Sequence, residues 1–169
     1  YPLPAGEHPF SIYTEINACP WNPDHLLLHI GLQGMVVPGQ QVKKQKFIVA
    51  HDMKVNVAFN KEKILAYRLI GYGSRRPKLG HVKTKWKHNR QLKMGQSVTT
   101  LYELVPVEPD PSAKPPASTK ETQPALTIDI TYREPVDPKQ KQITHKVFYT
   151  NSISKKPSEN FIFAAGVAR

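Results

Sequence analysis

Period-two alternation of apolar and polar side chains is the feature that most limits what this chain can become. Leu126, Ile128, Ile130 and Tyr132 alternate with Thr127, Asp129, Thr131 and Arg133 without a break. Successive strand side chains point to opposite faces, so such a run has one buried and one solvated face; wound into a helix, the same apolar residues would scatter around the cylinder. The rhythm recurs. Phe10, Ile12, Thr14 and Ile16 alternate with Ser11, Tyr13 and Glu15, and Val55, Val57 and Phe59 alternate with Asn56 and Ala58. Leu26, Leu28, Ile30 and Leu32 share one strand face, with His25, Leu27 and His29 on the other. Val98–Val107 and Ile143–Thr150 are further strand candidates, Phe47–Ala50 a short one, and Ile64–Tyr72, apolar on both faces, has the character of a central strand.

The punctuation fits short antiparallel strands. Trp21–Asp24, Asn60–Lys63 and Pro135–Gln142 read as turns. Near the end the pattern changes: Phe161, Ala164, Ala165 and Ala168 form one helical stripe, and the Ser158 hydroxyl is placed to cap a free backbone N–H at its start. These features predict a mainly β protein, an antiparallel β-sandwich of about seven strands with a C-terminal α-helix.

A chain of 169 residues is expected to form one domain with a real core. Its 16 prolines do not argue against that, because six fall in residues 106–125, a stretch that cannot sustain a ladder and reads as an extended loop. No run approaches the ~18–20 apolar residues of a membrane span. No signal-peptide pattern is visible. The chain opens without Met, and the helical stripe is still running at Arg169. We therefore expect a piece of a longer polypeptide, of which any targeting segment would lie upstream.

Charge is concentrated. Between Lys63 and Tyr102 stand ten of the 24 lysines and arginines and none of the 13 acids, so a net charge of +11 belongs mainly to one segment. Within the polar loop 73–95, Arg75, Arg76, Lys78, Lys83, Lys85, Lys87, Arg90 and Lys93 surround Trp86. Cations beside an exposed aromatic can follow a phosphate backbone while the ring stacks on a base, or can rest on an anionic lipid surface or acidic partner. The plainer reading is a solvated hairpin, in which Val82–Trp86 alternate and the lysines guard an edge. The pattern leaves these readings open, and the nine residues stand as candidate anion-binding residues.

Other chemistry finds little support. Cys19 is the only cysteine, which excludes an internal disulfide and any multi-cysteine metal site. It neighbours Pro20, with no evident base. Of the seven histidines only His25 and His29 have suggestive spacing. On a strand their Cα atoms would be ~13 Å apart, too far for one ion. There is no Gly-x-Ser-x-Gly elbow, no Gly-rich phosphate loop and no nameable acid–base pair. The expectation is a protein without catalytic residues, metal site or cofactor.

Five ordered pieces carry a family resemblance: GEHPFSIYTEI, CPWNPDHLLLHIGLQG, KVNVAFNKEKILAYRLIGY, QSVTTLYELVPV and SENFIFAAGVA. They resemble the regions flanking the von Willebrand factor type A (VWA) domain in YfbK-like bacterial proteins. Residues 1–34 are similar to the segment before that domain and 47–169 to the segment after it, with 35–46 as the join where a VWA domain would be inserted. The resemblance implies one composite β domain over 1–169, a missing VWA insert, a protein partner, and a bacterial cell-envelope or exported location. It also implies the absence of the family's Mg²⁺ site, which needs an Asp-x-Ser-x-Ser turn; here Asp110-Pro111-Ser112 is followed by Lys114 where the second Ser belongs. The basic 73–94 segment departs from the acidic or mixed loop of the family. The function these features imply is a non-catalytic scaffold or protein-interaction module, with binding of nucleic acid, another polyanion or an anionic surface through residues 75–93 as the alternative.

Overall fold

The computed structural model describes residues 8–36, 47–71, 78–79, 91–107, 123–149 and 156–168. They form β1 (Phe10–Cys19), β2 (Asn22–Gly34), β3 (Ile48–Phe59), β4 (Ile64–Leu69), β5 (Lys78–Leu79), β6 (Gln91–Lys93), β7 (Ser97–Pro106), β8 (Leu126–Glu134), β9 (Asp137–Val147) and the helix α1 (Glu159–Ala168). Strand order is β1-β2-β7-β4-β5 in a five-stranded sheet and β6-β3-β8-β9 in a four-stranded one. All pairings are antiparallel. The expected sandwich of about seven strands with a C-terminal helix is the fold, with β5 and β6 as two short additions at the sheet edges.

Alternation builds the core. Phe10, Ile16, Leu28, Ile30, Leu32, Tyr102 and Leu104 of the larger sheet meet Val55, Val57, Phe59, Ile128, Ile130 and Tyr132 of the smaller one in a single buried cluster. Phe59 on β3 stacks on Tyr67 of β4 at 4.2 Å and meets Tyr102 of β7 edge-on at 5.4 Å. At the other side Phe10 of β1 meets Tyr132 of β8 edge-on at 5.0 Å. Offset and edge contacts of this kind favour the aromatic quadrupoles as well as burying area. Residues from before and after the join thus share one apolar interior.

Three local readings are corrected. The first turn is only Pro20-Trp21; Asn22–Asp24 already belong to β2, where a register irregularity beside Cys19 absorbs them. The turn after β8 is only Pro135-Val136, and the polar stretch Asp137–Gln142 is the first half of β9. As an edge strand β9 needs one buried neighbour, not a fully apolar face, so its lysines and glutamines suit it. Finally, Ile48–Phe59 is one strand, bent where Asp52 adopts φ 53° and the register shifts between His51 and Lys54. Asp tolerates this left-handed conformation better than most residues, and a bulge is its usual setting.

Candidate functional site

Two regions of the fold combine polar chemistry with unusual construction: the junction between the two flanking segments, and the layer beneath α1.

The junction is built on the tight turn between β6 and β7. The Gly95 N–H donates to the carbonyl of Met35 at 3.0 Å, and the neighbouring Met94 N–H donates to the carbonyl of Phe47 at 2.7 Å. Both ends of the join are therefore held by consecutive amides, one Cα step of ~3.8 Å apart. Gly95 supplies the turn with φ 68°. Gln96 closes it: its Oε1 accepts from the Lys93 N–H at 3.0 Å, and its carbonyl accepts from the Gly34 N–H at 2.9 Å. Gln33 secures the neighbouring strands, its Oε1 accepting from Ser97 Oγ at 2.5 Å and its Nε2 donating to the Gly34 carbonyl at 3.1 Å. On the other side Met35 N–H reaches the Pro9 carbonyl. Residues 37–46 between these anchors lie outside the described residues.

Of the nine basic-segment candidates, Arg75, Arg76, Lys83, Lys85, Trp86, Lys87 and Arg90 lie outside the described residues. The other two locate the segment. Lys78 pairs along the backbone with Tyr67 in β5, at the edge of the five-stranded sheet. Lys93 pairs with Ile48 in β6, at the edge of the four-stranded sheet, and is half-buried. The two described candidates thus lie one at an edge of each sheet, and Lys93 leads into the junction turn. Asp110 and Ser112 also fall outside the described residues. Among the described residues no three His, Cys, Asp or Glu side chains group as metal ligands would.

The second region is the outer face of the five-stranded sheet, which a lone alternation pattern marks as solvated and the helix instead covers. Phe161, Ala164 and Ala165 of α1 pack on Cys19, Leu27 and Leu101 in a separate buried cluster. Burying one Phe and two Ala is worth on the order of 4 kcal/mol, little against the entropy of fixing ten residues. The far side of α1 is also apolar, with Ile162, Phe163 and Val167 exposed. Polar contacts therefore matter to the seating of the helix. Ser158 caps it, its Oγ accepting from the Phe161 N–H at 3.1 Å. Ser158 in turn donates twice to the buried carboxylate of Glu15, through its N–H to Oε1 at 2.9 Å and its hydroxyl to Oε2 at 2.5 Å. Asn17 Nδ2 and Tyr13 OH donate to the same carboxylate at 2.7 and 2.5 Å. Burial pushes the Glu15 carboxyl up, and the bonds from Ser158 and Tyr13 more than reverse this, holding it below the usual carboxylate value.

His29 stands directly across the strand pair from Glu15 and is fully buried beneath the helix, with its ring edge-on to Tyr13 at 5.9 Å and to Phe161 at 6.3 Å. Burial lowers its pKa, and the nearby Glu15 charge only partly offsets that. His25, four residues earlier on the same strand, has a different partner: its Nδ1 is 2.6 Å from Glu103 Oε1 on β7. Arg68 of β4 clasps the other Glu103 oxygen, and the Trp21 side chain also bonds this carboxylate. Burial raises the Glu103 pKa, but the bonds from His25, Arg68 and Trp21 bring it below the usual value. The two histidines thus stand beside separate carboxylates, His25 bonded to Glu103 and His29 across the strand pair from Glu15.

Sequence reasoning missed Glu15, Glu103 and Arg68. The available signal was a carboxylate midway along each of two otherwise apolar strands, which a solvated face explains equally well until a helix is laid over it.

Residues 45–169 match the family model described as "Uncharacterized protein YfbK, C-terminal". No curated protein matches the chain.

Proposed function

The chain belongs to the YfbK C-terminal family, and from that premise we propose that it is a non-catalytic scaffold, a protein-interaction module whose presenting site is the junction at residues 35–46. In this reading residues 1–169 are one composite domain, interrupted in relatives by a VWA body and here joined directly. The observation that carries the reading is the pair of consecutive amides, Met94 and Gly95, that hold Phe47 and Met35. Ends fixed side by side let the intervening segment vary in size without straining either sheet, because loop-closure cost grows slowly with length. Replacing residues 37–46 with a folded domain whose own termini are adjacent tests the idea. Amide protection in β1, β2, β3 and β8 should persist in the chimera. Loss of protection in β1 and β2 alone would mean that the join is structural rather than a port.

A second reading has its own support: the acid-free window leads directly into the junction through Lys93. On that reading residues 75–93 bind nucleic acid or another polyanion. Binding of labelled DNA, RNA or heparin should weaken steeply with salt, as counterion release requires. Absence of binding at low salt, or binding unchanged when Arg75, Arg76, Lys83, Lys85 and Lys87 are neutralised, would eliminate it.

A further inference from the structure

We propose that α1 is an acid-released latch: protonating Glu15 and His29 undoes the contacts that seat the helix and bares Cys19, Leu27 and Leu101 on the outer face of the five-stranded sheet.

Glu15 is 3% exposed and receives four donors, two at each oxygen. An ionised carboxylate accepts all four; a carboxyl proton must take the place of one of them. The hydroxyls of Tyr13 and Ser158, both on Oε2, can turn to accept. The Ser158 backbone N–H and the Asn17 amide, both on Oε1, cannot. A proton on Oε2 therefore reverses one hydroxyl bond and turns the remaining charge-assisted bonds, among them the Ser158 N–H bond at the start of the helix, into weaker neutral ones.

His29 acts in the same direction. It is 0% exposed, sits opposite Glu15 and touches Phe161, the main apolar anchor of α1. Placing an imidazolium there means charging a group that the helix has removed from water. The other ionisable groups around the cluster do not oppose this. Tyr13 on β1 already donates to the Glu15 carboxylate. On α1 and just before it, Glu159 and Lys156 are exposed. On β7, Glu103 is taken up by Arg68 and His25. Among the described residues the apolar burial of the helix comes chiefly from Phe161, Ala164 and Ala165.

The sign follows from which state binds more protons. Both groups have folded-state pKa values below their usual ones. A released helix therefore takes up protons, first at His29 below about pH 6.5 and then at Glu15 below about pH 4.5. Seating is strongest at neutral pH and weakens as pH falls.

Cys19 provides the readout, being the sole cysteine and 3% exposed within the helix-covered cluster. Its labelling rate by a dipyridyl disulfide, which reacts with thiols in acid, would be divided by that of a free thiol at the same pH. This ratio should rise by up to about tenfold per pH unit across the titration of each group. Amide protection of Ile128 and Ile130 in β8 should not change over the same range. Glu15→Gln should raise the ratio at neutral pH and flatten its acid limb, and His29→Leu should flatten the limb near pH 6.5. Should Glu15→Gln fail to fold, Ser158→Ala carries the test, since it removes one donor and should raise Cys19 labelling with β8 intact. Protection of Cys19 that persists until β8 itself opens, or variant profiles that superimpose on the unmodified chain, would overturn the proposal.

Discussion

A β-carbon on Gly34 would stand 2.4 Å from the carbonyl oxygen of Lys93. Gly34 ends β2 and Lys93 ends β6, so this contact brings the two sheets together at one corner. The neighbour is backbone, not a side chain that can swing away. Glycine is required here by close approach, the condition under which its missing side chain outweighs its entropic cost.

Gly34→Ala should therefore move the β6–β7 turn and loosen the bonds to Met35 and Phe47. The expected loss is about 1–3 kcal/mol, typical of forced overpacking. Urea denaturation would measure it, and an alanine variant as stable as the unmodified chain would show that the turn relaxes freely.

Phe59→Ala removes the ring that touches Tyr67 and Tyr102 across the sandwich. A loss of about 3–5 kcal/mol is expected from the transfer and cavity terms. Because the core is shared, amide protection in β1–β2 should fall together with that in β3–β8. Independent loss in only one group of strands would contradict a common interior.

Glu103→Gln leaves Arg68 and His25 without their carboxylate. Both partners keep some exposure, at 30% and 23% of the side chain, so solvent screens part of the effect. A loss of about 1–3 kcal/mol at neutral pH is expected. The folded-state pKa of Glu103 is lowered, so its contribution is present above the usual carboxylate value and is lost as pH falls through the folded one. Thermal melts carried from neutral pH to well below the usual carboxylate value should show a shallower acid decline in Glu103→Gln than in the unmodified chain.

Asn60 ties the β3–β4 turn to the far end of the proline-rich stretch. Its Oδ1 accepts from the Glu62 N–H at 3.0 Å, and its Nδ2 donates to the Pro124 carbonyl at 3.2 Å. Its backbone N–H donates to the Ala125 carbonyl at 2.9 Å. Asn60→Ala removes only the side-chain bonds. A loss of about 1 kcal/mol is expected, with earlier proteolytic cleavage near residues 123–125 as the local sign. Unchanged cleavage would mean that the backbone bond alone holds this corner.

Strand positions were legible wherever one face alternates cleanly, as in Leu126–Glu134, and the capped helix was legible from Ser158 and its stripe. Asp137–Gln142 was not, because an edge strand can satisfy its ladder with polar residues that look like a loop. The candidate sites were harder still. Glu15 and His29 are 14 positions apart and read as two polar residues on solvated faces. Only strand register sets them opposite each other, and only a helix arriving from residue 158 buries them.

The order of residues by itself determined a mainly β chain, its strand rhythm, the capped terminal helix and the concentration of positive charge, because these follow from local periodicity and composition. Tertiary structure alone decided that Met94 and Gly95 hold both sides of the join, and that Ser158 reaches Glu15. Those contacts join residues far apart in the chain, and no local propensity encodes a distance that appears only once two sheets and a helix have packed.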